Sequence, residues 1–105
     1  MSWVRTIALR ELPVGRTLAV TLREEELLIC RLGETEVFAV ENVCSHDDEP
    51  LGEAKLNGAI IECPRHGARF DVTTGKVVRM PAATPLATFP ARVREGWVEV
   101  GLEDQ

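Results

Sequence analysis

The sequence predicts an all-β fold, a sandwich or barrel of short antiparallel strands, on three observations. Aliphatic and β-branched runs recur at even spacing, glycine-bearing turns separate them, and no segment carries a convincing 3.6-residue apolar stripe. Residues 4–9 are β-compatible and give way to a Pro13-Val14-Gly15 turn. Residues 17–22 alternate apolar and polar in part, as a half-buried strand does. Residues 27–32 and 36–40 flank Gly33-Glu34-Thr35 and read as a hairpin. Residues 59–62 form a short apolar run. A second hairpin is read from residues 68–72 and 76–79 around Thr73-Thr74-Gly75. A third is read from residues 87–94 and 97–100 around Glu95-Gly96, with a Trp97-x-Glu99-x alternation in its last strand. Residues 47–57 are polar and contain Pro50 and Gly52, which predicts an irregular loop with at most one helical turn, near residues 49–54.

Length and charge narrow the function classes. A chain of 105 residues has the size of one domain, spanning residues 1–105. It buries only about two-thirds of its unfolded surface, so a metal clip would add usefully to its stability. An apolar content of 45% excludes a disordered chain. A net charge of −5 disfavours nucleic acid and anionic membranes and suits docking onto basic protein patches. No stretch approaches the roughly 18 apolar residues of a membrane span, and the first residues lack a signal-peptide apolar core, so a cytoplasmic protein is expected. Three cysteines, an odd number, fit a reducing compartment better than a disulfide framework.

Chemistry concentrates in two short motifs. Cys44-Ser45-His46 is followed, after sixteen intervening residues, by Cys63-Pro64-Arg65-His66, and these hold both histidines of the chain. Each motif follows a β run and so sits on a loop at a strand end. Two thiolates with two imidazoles are the ligand set of a Rieske [2Fe–2S] centre, in which two histidines replace two cysteines on one iron. Thiolate sulfur donates charge to one iron, and neutral imidazoles leave the other easier to reduce. Gly67, directly after His66, lets backbone approach without a Cβ, and Pro64 stiffens its loop. A Cys₂His₂ zinc site uses the same donors, but structural zinc sites usually pair Cys with Cys and His with His at two to five residues. A cysteine nucleophile activated by His46 is a further reading, yet it leaves the second motif unexplained. Cys30, in mid-run among aliphatic residues, reads as a small buried hydrophobe.

At these residues the chain resembles the Rieske family, whose pattern is C-x-H, a spacer, then C-x-x-H. It is most similar to the small soluble Rieske ferredoxins of bacterial aromatic-ring-hydroxylating dioxygenases. The second motif continues through Phe70-Asp71-Val72-Thr73-Thr74-Gly75-Lys76, like the F-D-x-x-T-G-[KR] run of those ferredoxins. Pro81-Ala82-Ala83-Thr84-Pro85-Leu86 resembles the proline loop that forms a third wall over the cluster. The resemblance implies stacked antiparallel sheets with a cluster-binding subdomain formed by two loops, at about residues 42–86. It implies one [2Fe–2S] cluster per chain, with Cys44 and Cys63 on one iron and His46 and His66 on the other. High-potential relatives carry a disulfide where this chain has Glu49 and Arg65. They carry Ser and Tyr hydroxyls where it has Ala68 and Phe70, so a potential near the low end, about −150 mV, is implied.

The expected role is a monomeric one-electron carrier rather than an enzyme. It would pass electrons from an NAD(P)H-dependent flavin reductase to a terminal Rieske oxygenase. The alternatives are a small Rieske subunit of a larger reductase, resembling the nitrite reductase small subunit, and a zinc-stapled β binding module. Asp47-Asp48-Glu49 reads either as an acidic rim steering basic partners or as a solvated loop. Arg65 and Arg69 are expected to offset that charge in part, and Trp3 and Trp97 to serve packing.

Overall fold

The computed structural model describes residues 1–43, 51, 55–63, 67–79 and 84–103. Eleven strands and one 3-10 turn are found among them, and no α-helix. The all-β expectation is met.

The middle layer explains the rest. Strands β2 (Thr17–Leu22), β3 (Glu25–Arg31), β4 (Val37–Glu41) and β9 (Thr88–Phe89) form one antiparallel sheet in the order β2-β3-β4-β9. Its central run, Leu27-Leu28-Ile29-Cys30, is apolar at every position, because both faces of the sheet are covered. Leu27, Ile29, Val37 and Ala39 pack against Val98, Val100 and Leu102, on a sheet of β1 (Ser2–Ala8), β11 (Trp97–Leu102) and β10 (Ala91–Arg94). Leu28, Cys30 and Val40 face the other way, toward Ile61 and Phe70. Those two belong to a third sheet, in the order β5 (Lys55–Asn57), β6 (Ile60–Glu62), β7 (Arg69–Asp71), β8 (Val77–Arg79). Alternation along β3 and β4 therefore sends one set of side chains to each of two cores.

Two expectations need correcting. Residues 87–94 are not one strand: Pro90 has no N–H to donate and ends β9, which pairs with β4, before β10 crosses to β11. Within residues 47–57, Lys55–Asn57 is strand β5, paired antiparallel to β6 across a turn in which Gly58 has φ of +59°. The rest of that segment, apart from the buried Leu51, lies outside the described residues, as does the suggested helical turn.

The other hairpins hold. β3 and β4 pair from Leu27–Glu41 to Arg31–Val37, and β10 and β11 pair around Glu95-Gly96, both with positive φ. β7 turns into β8 through Asp71, whose carboxylate accepts from the Thr73 N–H (2.9 Å) and hydroxyl (2.6 Å). These bonds favour the ionised form and hold the Asp71 carboxyl below its ordinary value.

Candidate metal centre

Cys63 is the expected ligand that the structure describes. It follows β6 directly, at the neck of the β6–β7 hairpin, and is 1% exposed. Its thiol is free of any disulfide. The ladder runs on past the strands: the Cys63 N–H donates to the Ala68 carbonyl at 2.7 Å, and the Gly67 N–H returns to the Cys63 carbonyl at 3.0 Å. Gly67 has φ of +75°, the left-handed conformation that glycine enters without a Cβ penalty. Cys63 is thus held by its own backbone at both ends of the loop that carries Pro64, Arg65 and His66.

The buried cluster that contains Cys63 is apolar, and Leu51, Ala68, Phe70, Val72 and Leu86 belong to it. Ala68 and Phe70, the positions where a hydroxyl would face the centre in high-potential relatives, are fully buried and supply none.

Cys44, His46 and His66 lie outside the described residues, as do Asp47-Asp48-Glu49, Arg65 and residues 81–83 of the proline loop. Among the described residues no three His, Cys, Asp or Glu side chains gather to hold a metal ion. What is described are the elements that enter and leave those segments. Asn42 and Val43 follow β4 toward the first motif. Below the proline loop, the Leu86 N–H donates to the Gly75 carbonyl at 2.8 Å. The Ala87 N–H donates to the Glu41 carboxylate at 2.8 Å, and the Glu41 N–H donates to the Ala87 carbonyl at 2.9 Å. The limb of the proline loop is thereby tied both to the β7–β8 turn and to the base of the first motif.

A [2Fe–2S] group fits what the described residues offer. A buried, unpaired thiol at a loop mouth, lined with aliphatic and aromatic side chains, is an environment that excludes water from a thiolate-ligated centre. Cys30 differs by its place: it lies within strand β3, away from any loop, where burial pushes its thiol up to about 12.

Two features escaped the reading of the sequence. Arg69 donates through Nε to the Glu62 carboxylate at 3.2 Å, so its charge is engaged on its own hairpin. The two residues are directly opposed on β6 and β7, a pairing that only the hairpin register reveals. Trp3 and Trp97 are half-buried, and each lies under a guanidinium: Arg92 sits 4.0 Å from the Trp3 ring and Arg5 5.2 Å from the Trp97 ring. Glu99 bridges the two arginines, at 2.8 Å from Arg92 and 3.8 Å from Arg5.

An all-β chain with a free cysteine set in an apolar loop mouth defines a candidate iron–sulfur protein. Comparison with known proteins makes the class definite: the Rieske [2Fe-2S] domain family matches residues 2–90, and the chain belongs to it. The ferredoxin component of the naphthalene 1,2-dioxygenase system of Pseudomonas aeruginosa is 35% identical over 100 residues, covering 95% of each chain. A structure of the complex of reduced oxygenase and oxidized ferredoxin in carbazole 1,9a-dioxygenase contains a chain superposing with a TM-score of 0.89 at 34% identity, over 98% of this chain and 95% of that one. A putative NADH-dependent nitrite reductase small subunit from Mycobacterium tuberculosis superposes with a TM-score of 0.87 at 22% identity, over 99% of this chain and 97% of that one, and shares the fold alone. No helix among the described residues is long and apolar enough to cross a membrane.

Proposed function

We propose that residues 1–105 form one Rieske domain that acts as a one-electron carrier between an NAD(P)H-dependent flavin reductase and a terminal Rieske oxygenase. It works in the cytoplasm as a monomer, docks transiently and performs no substrate chemistry of its own. The observation that carries this reading is the Cys63 environment, a free thiol 1% exposed at a hairpin neck, in one apolar buried cluster with Leu51, Ala68, Phe70, Val72 and Leu86. The ligands are Cys44 and Cys63 on one iron and His46 and His66 on the other. When bound, the [2Fe–2S] group supplies a reversible one-electron acceptor.

The chain's own residues do the remainder. The apolar cluster keeps water from the sulfur side and lowers the local dielectric. Ala68 and Phe70 donate no hydrogen bond into that site, which leaves the added electron less stabilised and keeps the potential low. The bonds of Glu41 and Gly75 to residues 86–87 fix one limb of the proline loop, so little rearrangement is needed around the site when charge changes. Asp47-Asp48-Glu49, directly after His46 in the sequence, adds negative charge that favours basic partner faces.

The test is a reconstituted chain of transfer. Iron-loaded protein, NADH and a flavin ferredoxin reductase should bleach the visible absorbance by one electron per chain. Addition of a naphthalene-type terminal oxygenase with its aromatic substrate and oxygen should restore the colour. Full colour retained in the presence of reductase and NADH overturns the carrier reading.

A further inference from the structure

The Glu62–Arg69 pair occupies a particular place. It is the last opposed pair of the β6–β7 ladder, one residue before Cys63 and three after His66. Its two neighbours in the ladder, Ile61 and Phe70, are fully buried, so alternation puts the pair on the opposite, outer face. Both side chains are partly exposed, 43% for Arg69 and 40% for Glu62. Glu62 Oε1, besides accepting from Arg69, lies 3.7 Å from the point where a Cβ on Gly67 would stand. The carboxylate therefore rests against the returning limb of the loop, with the guanidinium beside it.

We infer that Glu62 and Arg69 form a charge-neutral clasp that keeps either charge from shifting the midpoint potential of the centre held by the adjoining loop. This rests on the ligand assignment proposed above. One-electron reduction makes and breaks no bond; it adds one negative charge to the bound centre. A carboxylate close by disfavours that added charge, and a guanidinium favours it. Paired at 3.2 Å, the two nearly cancel at the centre. Neither residue is among the assigned ligands, so both are positioning residues whose effect runs through the field at the centre.

Opposite charges make the inference testable by sign. Arg69→Gln unmasks the Glu62 carboxylate and should lower the potential. Glu62→Gln unmasks the guanidinium and should raise it. Each should change the reduction equilibrium constant at least about threefold, or ~28 mV at about 59 mV per decade for one electron. The double variant, neutral at both positions, should return to within about 1.5-fold of the parent, or ~10 mV. Arg69→Lys, which keeps the charge, should stay near the parent as well. The single-variant shifts should shrink between 0.1 M and 1 M salt, where the Debye length falls from about 10 Å to about 3 Å.

A clasp that merely holds the hairpin together would move both single variants in the same direction, independently of salt. That pattern, or no shift in either, overturns the inference while leaving the carrier reading intact. If Arg69→Gln fails to hold its centre, Glu62→Gln decides alone: an upward, salt-sensitive shift supports the inference and any other result overturns it. Absence of a cluster spectrum from the parent protein itself would strike the ligand assignment instead, and the inference with it.

Discussion

Installing hydroxyls at Ala68 and Phe70 tests whether the empty second layer around the centre sets its potential. Both residues are fully buried and share the apolar cluster that contains Cys63, and the Ala68 carbonyl accepts the Cys63 N–H at 2.7 Å. No buried side-chain nitrogen or oxygen among the described residues lacks a partner, so an added hydroxyl meets no waiting side-chain group. In metal-free protein, Ala68→Ser with Phe70→Tyr should therefore destabilise by about 1–3 kcal/mol for each unsatisfied hydroxyl. In loaded protein the hydroxyls gain an acceptor of growing negative charge. A hydrogen bond to a charged group contributes roughly 1.5–3 kcal/mol. Taking about 1 kcal/mol of that as gained only with the extra electron gives ~43 mV per hydroxyl, since about 1.36 kcal/mol and about 59 mV both correspond to one decade. The double variant should sit about 85 mV above a parent near −150 mV, within a Rieske range of about 450 mV. Spectroelectrochemical titration reads this directly. A potential unchanged or lowered, in a variant that keeps its full iron content, would refute the second-layer argument.

Other expectations follow from particular contacts. Gly75→Ala should destabilise the fold by about 1–3 kcal/mol in a thermal melt, because Gly75 has φ of +79° and a Cβ there would collide with the Leu86 carbonyl. Cys30 should resist alkylation at pH 8 until denaturant is added, and Cys30→Ala should keep the iron content of the parent. Because the Cys30 thiol is raised from 9.0 to about 12 in the folded chain, the native state holds its proton where the unfolded chain loses it. Stability measured by urea melts should then be fully present below pH 9 and fall as pH climbs toward 12. Asp71 runs the other way: the Thr73 bonds depress its folded value, so the turn's contribution is present above the ordinary carboxylate range and is lost as pH falls through the depressed value. Thr73→Ala should move the Asp71 titration upward by NMR.

Strands were legible where the pattern had two registers to agree on. Thr17–Leu22 alternates and is bounded by turn residues, and its limits match the reading of the sequence. The aliphatic run in β3 was legible as a strand, but not the reason it is apolar throughout, which is coverage on both faces by two other sheets. Lys55–Asn57 was hidden because a strand of three residues with a single apolar side chain, Leu56, has no periodicity to detect; Leu56 packs against the core beside β6. Pro90 was the overlooked signal at the crossing from β9 to β10. At the site, motif chemistry singled out Cys63, which the structure places buried and free of any disulfide directly after β6. The Glu62–Arg69 clasp was not, since opposed residues seven apart become neighbours only once the hairpin register is known.

The ligand set is tested most directly by pulsed EPR on the one-electron-reduced protein carrying nitrogen-15 histidine. Two distinct imidazole nitrogens coupled to the unpaired spin, with one lost in His46→Ala and the other in His66→Ala, is the predicted result. A cluster signal with no histidine coupling, or one that survives both substitutions unchanged, would contradict the account.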